Sequence, residues 1–397
     1  MDYQKKYDQA MERIKSFHIK TFPGQPGPIF LISTTYPGVW MEHVYDGIKF
    51  AELEPEIGKE VARNQTLLFI RNQMPDGRLP YNVLDESIIK AKGWGRSLVN
   101  YTQIQECVSI GRLCWDAYCI LEDKEYLKEV YTAICKWDEW LCNNRMTMKK
   151  GLIELFCLYD TGHDNSARLA DIPCPCPDKF GAQPADADAL PILAPDMNAC
   201  FYGNRRALAK MADELGLHAE AEEWRKKAAD VKEKMIELLY DEEDQFFYDV
   251  DKYGKKRKFL SISISNVFTE HVMDQEMADA VYQRHMKNPK EFWTEYPFPS
   301  MAACDPGSKK DRDGNSWGYY TQGLTALRCA RWMDHYGYSE DHDHILKQWV
   351  DAMTRSDMNF SQELDPFTGE MSKSSEWYSS AMLLYIYGCR RLGYVKK

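Results

Sequence analysis

Positive charge is in short supply in this chain: 50 Lys and Arg stand against 61 Asp and Glu, a formal net charge of −11. With no Lys/Arg-rich face to offset that balance, an electrostatic grip on nucleic acid or on anionic membranes is not expected. The runs Lys255–Lys258 and Arg390-Arg391 are short and read as solvated surface. Long apolar runs are missing too, which excludes a helix of about 20 apolar residues crossing a bilayer. The N-terminus, Met1-Asp2-Tyr3-Gln4-Lys5-Lys6, opens a polar amphipathic helix and lacks the apolar core of a leader, so a cytoplasmic protein is expected. Alternating strand patterns are scarce, and no composition shift marks a domain boundary. Histidines number 9, with no evident paired constellation.

Cysteine is abundant, with 12 in all. In the absence of a leader they read as reduced thiols. Cys107, Cys114, Cys135, Cys200 and Cys389 fall on apolar helix faces, where a free thiol acts as a small hydrophobe. Cys174-Pro175-Cys176 is the one suggestive pair, with Cys157 and His163 the only nearby partners. A zinc site needs more ligands at suitable spacing, so neither a metal nor a cofactor is expected. Aromatic residues reach 13%, and several sit in Gly/Pro-bearing segments: Trp40, Tyr81, Trp94, Tyr159, Trp293, Tyr296, Trp317 and Trp377. Such rings suit the apolar faces of sugars, or else they pin long loops to the scaffold.

Apolar periodicity near 3.6 residues recurs throughout. It predicts helices over 4–18, 40–52, 55–73, 98–121, 124–146, 195–215, 218–239, 260–270, 274–288, 316–336, 338–356 and 373–393. Tight turns fall at Glu122-Asp123, Gly216-Leu217 and Gly337. The long connections are 19–39, 74–97, 147–194, 289–315 and 357–372, with short strands expected around Phe246-Phe247-Tyr248. About twelve helices in about six hairpins close naturally into an all-α (α/α)6 barrel. A single domain over 1–397 is expected, its long loops crowding one mouth.

Two acidic clusters stand out on that scaffold. Asp160-Thr161-Gly162-His163-Asp164-Asn165-Ser166-Ala167-Arg168 is one, and Gln362-Glu363-Leu364-Asp365-Pro366-Phe367-Thr368-Gly369-Glu370 is the other. Inverting cleavage of a glycosidic bond needs one protonated carboxyl for the leaving oxygen. It also needs an ionised one to activate water, roughly 6.5–9.5 Å away. Asp164, flanked by His163 and Asn165, is placed to project into the mouth, and Glu363 to face the same hollow. Equally, Asp164 and Asp365 can cap turns while Glu363 is solvated.

These segments resemble the trehalase-like glycosidases, in particular glycoside hydrolase family sixty-three with its processing α-glucosidases and its mannosylglycerate and glucosylglycerate hydrolases. Thr161-Gly162-His163-Asp164-Asn165-Ser166-Ala167-Arg168 is similar to the family's general-acid motif, which implies Asp164 as acid. Glu363-Leu364-Asp365-Pro366, followed by Thr368-Gly369-Glu370, is similar to its general-base motif, which implies Glu363 as base with Glu370 the rival. Asn72–Pro80, Tyr101-Thr102-Gln103, Met197-Asn198-Ala199, Tyr296–Ser300 and Glu376–Ala381 resemble further family segments in order. The likeness thus runs from about residue 40 to 390. Two departures fall where the sugar is held: Trp40-Met41-Glu42-His43-Val44-Tyr45-Asp46 and Arg312-Asp313-Gly314-Asn315-Ser316-Trp317.

The resemblance implies an inverting exo-acting glycoside hydrolase, an α-glucosidase acting on a disaccharide or a glycosyl-glycerate. Trp40, Trp317 and Trp377 are expected to shape the sugar pocket, with Gln103, Asn198 and Arg168 fixing hydroxyls or a carboxyl. Glu42, Asp46, Tyr81, Tyr159, His163, Asn165 and Glu370 complete the candidate substrate contacts. Arg96 and Arg312 are available for a carboxylated aglycone. An epimerase-like sugar isomerase on the same barrel and a non-catalytic sugar-binding protein are the alternatives. The expected partner is a small carbohydrate; nothing in the sequence fixes the oligomeric state.

Overall fold

A computed structural model describes residues 1–93 and 97–396, so the candidates Trp94 and Arg96 lie outside the described residues. Its helices are α1 (Tyr3–Arg13), α2 (Val44–Leu53), α3 (Pro55–Ile70), α4 (Glu86–Ala91), α5 (Ile110–Leu121), α6 (Lys124–Asn144) and α7 (Pro195–Glu214). They continue with α8 (His218–Leu239), α9 (Ile264–Thr269), α10 (Gln275–Val281), α11 (Gly323–Arg328), α12 (Ser339–Arg355) and α13 (Ser379–Arg391). Short polar side chains start several of them by accepting backbone N–H groups that no helical carbonyl can reach. Asp2 caps α1 through Lys5 N at 3.0 Å, and Asp123 caps α6 through Glu125 N at 2.9 Å. Among the described residues no helix is long and apolar enough to cross a membrane.

Packing among the helices runs in a circuit: α2 meets α5, α5 meets α7, α7 meets α9, and α9 meets the turn that follows α11. α11 then meets α13, and α13 returns to α2. Outside that circuit α3 lies against α2 and α5, α6 against α5 and α7, α8 against α7, and α12 and α1 against α13. The buried faces carry Leu113, Ala117, Leu208, Met211, Ile345, Trp349, Leu383 and Ile386, recurring at the helical period the sequence shows.

The structure departs from the sequence reading where helices meet loops. The helix expected over 98–121 begins only at Ile110, because Ser109 caps it and the segment before it is held by partners outside the helix. Val99–Asn100 is a strand, Ile104 N donates to Asp160 Oδ1 at 2.8 Å, and Gln105 has a φ of 49°. Ile104 is buried as its periodicity suggested, but it lies in irregular chain outside the helix. Likewise 316–336 is helical mainly over α11, and 373–393 mainly over α13. Small antiparallel sheets take up the remainder. Gly38–Trp40 pairs with Asn82–Leu84, which pairs with Val99–Asn100; Thr321–Gln322 pairs with Glu363–Leu364; and Phe246–Phe247 pairs with Tyr240–Asp241.

Candidate active site

A cavity of about 440 Å³ takes wall residues from each of the five long connections expected from the sequence. Tyr36, Tyr81, Tyr159, Asp164, Asn315 and Gln362 represent them in chain order. Asn100, Thr102, Gln103 and Gln105 come from the non-helical segment before α5, and Tyr378 is the residue before α13. The sheet register sets Trp40 opposite Asn82 and Asn82 opposite Asn100, fixing one wall.

Asp164 follows Gly162, whose φ is 71°. A Cβ at 162 would stand 3.0 Å from Glu42 Oε2 and 3.2 Å from Cys107 Sγ, so a bare backbone lets this loop close over Glu42. Asn315 Nδ2 donates to Asp164 Oδ2 at 3.4 Å, and Trp317 N donates to the Asp164 carbonyl at 3.0 Å. Burial pushes the Asp164 carboxyl up to about 6, against the opposing pull of the Asn315 bond and the Arg312 charge.

Glu363 is fully buried, on the two-residue strand facing Thr321–Gln322. Its cross-strand partner Gln322 donates through Nε2 to Oε2 at 2.6 Å; Ser316 N donates to the same oxygen at 3.3 Å and Ser372 Oγ to Oε1 at 3.1 Å. Burial raises this carboxyl, while those donors favour its ionised form. Each of these partners presents a hydrogen to Glu363, an arrangement suited to a carboxylate.

The segment Asn315–Trp317 therefore touches both acids, with the Asn315 side chain on Asp164 and the Ser316 amide on Glu363. Tyr36 links them independently: its hydroxyl is held well above its ordinary value by burial first, then by the charges of Asp164, Glu42 and Glu363. Glu42 is the second carboxyl in the wall, beside Asp164, whereas Glu363 does not line the cavity; burial and the charges of Asp164 and Asp46 push Glu42 up to about 7, with Arg328 opposing.

Trp40, Glu42, Tyr81, Gln103, Tyr159 and Trp317 of the expected substrate contacts line the cavity with Asp164. His163 sits behind that wall, its ring stacked on Trp317 at 4.2 Å and 14°. Burial lowers it to about 3, so it is neutral at ordinary pH. Asn165 is exposed, and its Nδ2 donates to the Asn315 carbonyl at 2.7 Å, bracing the Asp164 loop against the segment Asn315–Trp317.

Five expected contacts lie elsewhere, four of them with their polar groups or rings already engaged. Asp46 points at α13 and accepts from Ser379 Oγ and from Ser380 Oγ at 2.9 Å. Asn198 ties the backbone just before the strand Glu154–Leu155, accepting from Ile153 N at 2.8 Å and donating to the Ile153 carbonyl at 3.0 Å. Glu370 is exposed beyond the cavity. Trp377 packs at 5.7 Å on Phe360 and under Arg13, leaving its neighbour Tyr378 to face inward.

Arg168 is the fifth. It is buried between Asp196 and Asp249, donating to them at 2.8 and 2.9 Å and at 2.5 and 2.7 Å. Arg168→Ala leaves two carboxylates buried without their counter-charge. It is expected to lower the unfolding free energy by about 3–5 kcal/mol, read as an earlier urea midpoint at unchanged slope.

Sequence reasoning missed Tyr36, Asn82, Asn100, Gln105, Asn315, Gln362 and Tyr378 in the wall. Gln362, Asn315 and Tyr378 are neighbours of residues it named; Asn82 and Asn100 are legible only through the strand pairing. Asp160, in the first acidic cluster, is a scaffold residue: Arg145 Nη1 donates to it at 2.6 Å and the backbone of Phe156 at 2.8 Å. Cys157, Asp160 and Cys176 offer ligand atoms within 4.8 Å of one another, whereas Cys174 is exposed and His163 is not in the group. The Arg145 guanidinium, also 3.8 Å from Cys176 Sγ, already supplies the positive charge there, so the trio does not fit a metal.

Residues 46–380 match the mannosylglycerate hydrolase MGH1-like glycoside hydrolase domain. The chain belongs to this family. It is a glycoside hydrolase of the mannosylglycerate hydrolase-like type. The fold agrees with the GH63 mannosylglycerate hydrolase from Thermus thermophilus in complex with Tris, at a TM-score of 0.76 and 17% identity over 96% of this chain and 99% of that one. The same enzyme in complex with glucose gives a TM-score of 0.73 at 18% identity, over 96% and 99% of the two chains. The neutral trehalase of Saccharomyces cerevisiae matches at 0.66 and 13% identity over 91% and 73%. A relative in Borreliella burgdorferi, described as uncharacterized, is 27% identical over 128 residues, which span 32% of this chain and only 26% of its own length.

Proposed function

We propose that this hydrolase is an inverting, exo-acting enzyme for a small α-glycoside, with Asp164 as general acid and Glu363 as general base. The observation that carries the reading is the shared segment Asn315–Trp317, which bonds one carboxyl of each kind beside a single cavity. Asp164, held protonated up to about 6, donates to the departing oxygen. Glu363, surrounded by donors, takes the proton of the attacking water on the opposite face of the sugar. Trp40, Trp317 and Tyr36 offer rings to the sugar; Glu42, Gln103 and Gln105 offer polar groups to its hydroxyls. The helix circuit is read as an (α/α)6 barrel forming one domain, with this cavity at its mouth.

A cavity of about 440 Å³ suits a disaccharide-sized ligand. A glucosyl or mannosyl residue joined to glycerate is the favoured class, on the strength of the mannosylglycerate hydrolases that share the fold and of Arg312, whose charge acts on Asp164 from outside the cavity. Glucosylglycerate, mannosylglycerate and α-linked disaccharides are the substrates to offer, with the product followed by proton NMR from the first turnovers. An α-glycoside is expected to release the β-anomer first. Release of the α-anomer would replace the paired acid–base scheme with a covalent one, and interconversion without hydrolysis would favour an isomerase.

The pH profile follows from the same geometry. Asp164 must carry its proton, so kcat/KM is expected to fall tenfold per pH unit above a break near 6. In Asp164→Asn the residual activity should lose that break.

A further inference from the structure

Gly203, Arg206, Ala207 and Lys210 follow one another on α7 at the spacing of a single helix face. With Arg112 and Trp115 of α5, and with Glu270 and His271 after α9, they enclose a second cavity of about 80 Å³. The first cavity draws on loops, the segment before α5 and Leu324 of α11; this one draws on α5 itself, the middle of α7 and the residues after α9. It opens beside a shallower hollow of about 310 Å³ that shares Arg206 and Lys210 and adds Arg225 and Lys232.

The cations here are under-matched in a chain whose net charge is −11. Glu270 supplies one carboxylate, bonded by Arg112 at 3.2 Å. Arg206 donates to the Glu270 backbone carbonyl at 3.0 Å, hydrogen-bonds the Tyr202 hydroxyl and lies over the Tyr202 ring at 5.4 Å, with no ion-pair partner among the described residues. Lys210 has the Trp115 ring at 6.0 Å for company, and burial, Arg206 and Arg112 press its ammonium toward the neutral form against the opposing charge of Asp116, itself paired with Arg331 at 2.5 Å. Arg225, by contrast, is matched by Asp213 and by Glu222 at 2.7 Å. A Cβ at 203 would meet Glu270 Oε2 at 2.2 Å, so the bare glycine lets Glu270 reach Arg112 while the α7 face stays open.

We propose that this cavity binds a phosphate group, inorganic or carried on a monoester, between Arg206, Lys210 and Arg112. Guanidinium forks and an ammonium around a hollow sized for one tetrahedral oxyanion are the chemistry that recognises it. The adjoining hollow leaves room for the organic part of an ester. Titration calorimetry of the whole protein, at fixed ionic strength, tests this with inorganic phosphate and with glucose 6-phosphate in separate arms. One saturable site is expected, weakened at least tenfold in the Arg206→Ala/Lys210→Ala variant while hydrolysis is unchanged. Tighter binding of glucose 6-phosphate marks the ester as the natural form, and equal binding marks the free ion. Lys210→Glu, at an exposed position, serves if the double variant does not fold. Absence of saturation in both arms, or binding that these substitutions leave intact, overturns the proposal.

Discussion

Asp164→Asn is expected to lower kcat on the natural glycoside by about 10²–10⁴-fold, the range that a positioned proton donor supplies. The substitution keeps the shape and removes the transferable proton. An α-glycosyl fluoride, whose leaving group needs no protonation, should be cleaved by this variant at close to the wild-type rate. Loss of activity on both substrates would assign Asp164 some role other than acid. The same change is expected to stabilise the fold at alkaline pH. The carboxyl titrates near 6 when folded against an ordinary value of 3.8. The folded protein thus binds this proton more tightly than the unfolded chain. The corresponding stability is fully present below 3.8 and is lost as pH rises through 6. Asparagine has nothing to lose in that window. The variant should therefore gain on the order of 1 kcal/mol relative to wild type at pH 8 over its position at pH 4, after discounting for a side chain that faces the cavity. Thermal melts at the two pH values check it.

Glu363→Gln should be the more damaging change, because Gln322, the Ser316 amide and Ser372 all donate to this carboxyl. A loss of about 10³-fold or more in kcat is expected on glycoside and fluoride alike, since water must be activated whichever group leaves. KM should move little, as Glu363 is buried and does not line the cavity. The contrast between the two variants on the fluoride separates acid from base. Glu370, exposed and outside the cavity, gives the control: Glu370→Gln should retain wild-type turnover. An inactive Glu370→Gln beside an active Glu363→Gln would exchange their roles.

Two kinds of residue determined how legible this protein was. The inner faces of α5, α7, α12 and α13 repeat apolar residues every three or four positions, and burial follows that repeat closely. Helical pairing and the turns at Glu122 and Gly216 were therefore readable from local pattern alone. Helix starts were not. The stretch before α5 has helical periodicity, yet Asp160 and a strand partner claim its backbone, so Gln103 and Gln105 become cavity wall. Long-range hydrogen bonds of this kind leave no trace in a window of a dozen residues.

The polar residues divide in the same way. Their chemical type, with the family resemblance, pointed to a glycosidase and to Asp164 and Glu363 as the proposed pair. Arg168, Asp46 and Asn198 belong to the same segments, and the sequence could not tell a ligand contact from a structural tie. That distinction depends on what stands opposite each side chain: two aspartates for Arg168, two serines for Asp46, the Ile153 backbone for Asn198. The sequence by itself determined the helical scaffold and the chemistry available, because periodicity and residue type are local properties. Which of those polar groups stay unspent around one hollow was decided by tertiary contacts alone, since a buried hydrogen-bonding group is satisfied by whatever the fold brings to it.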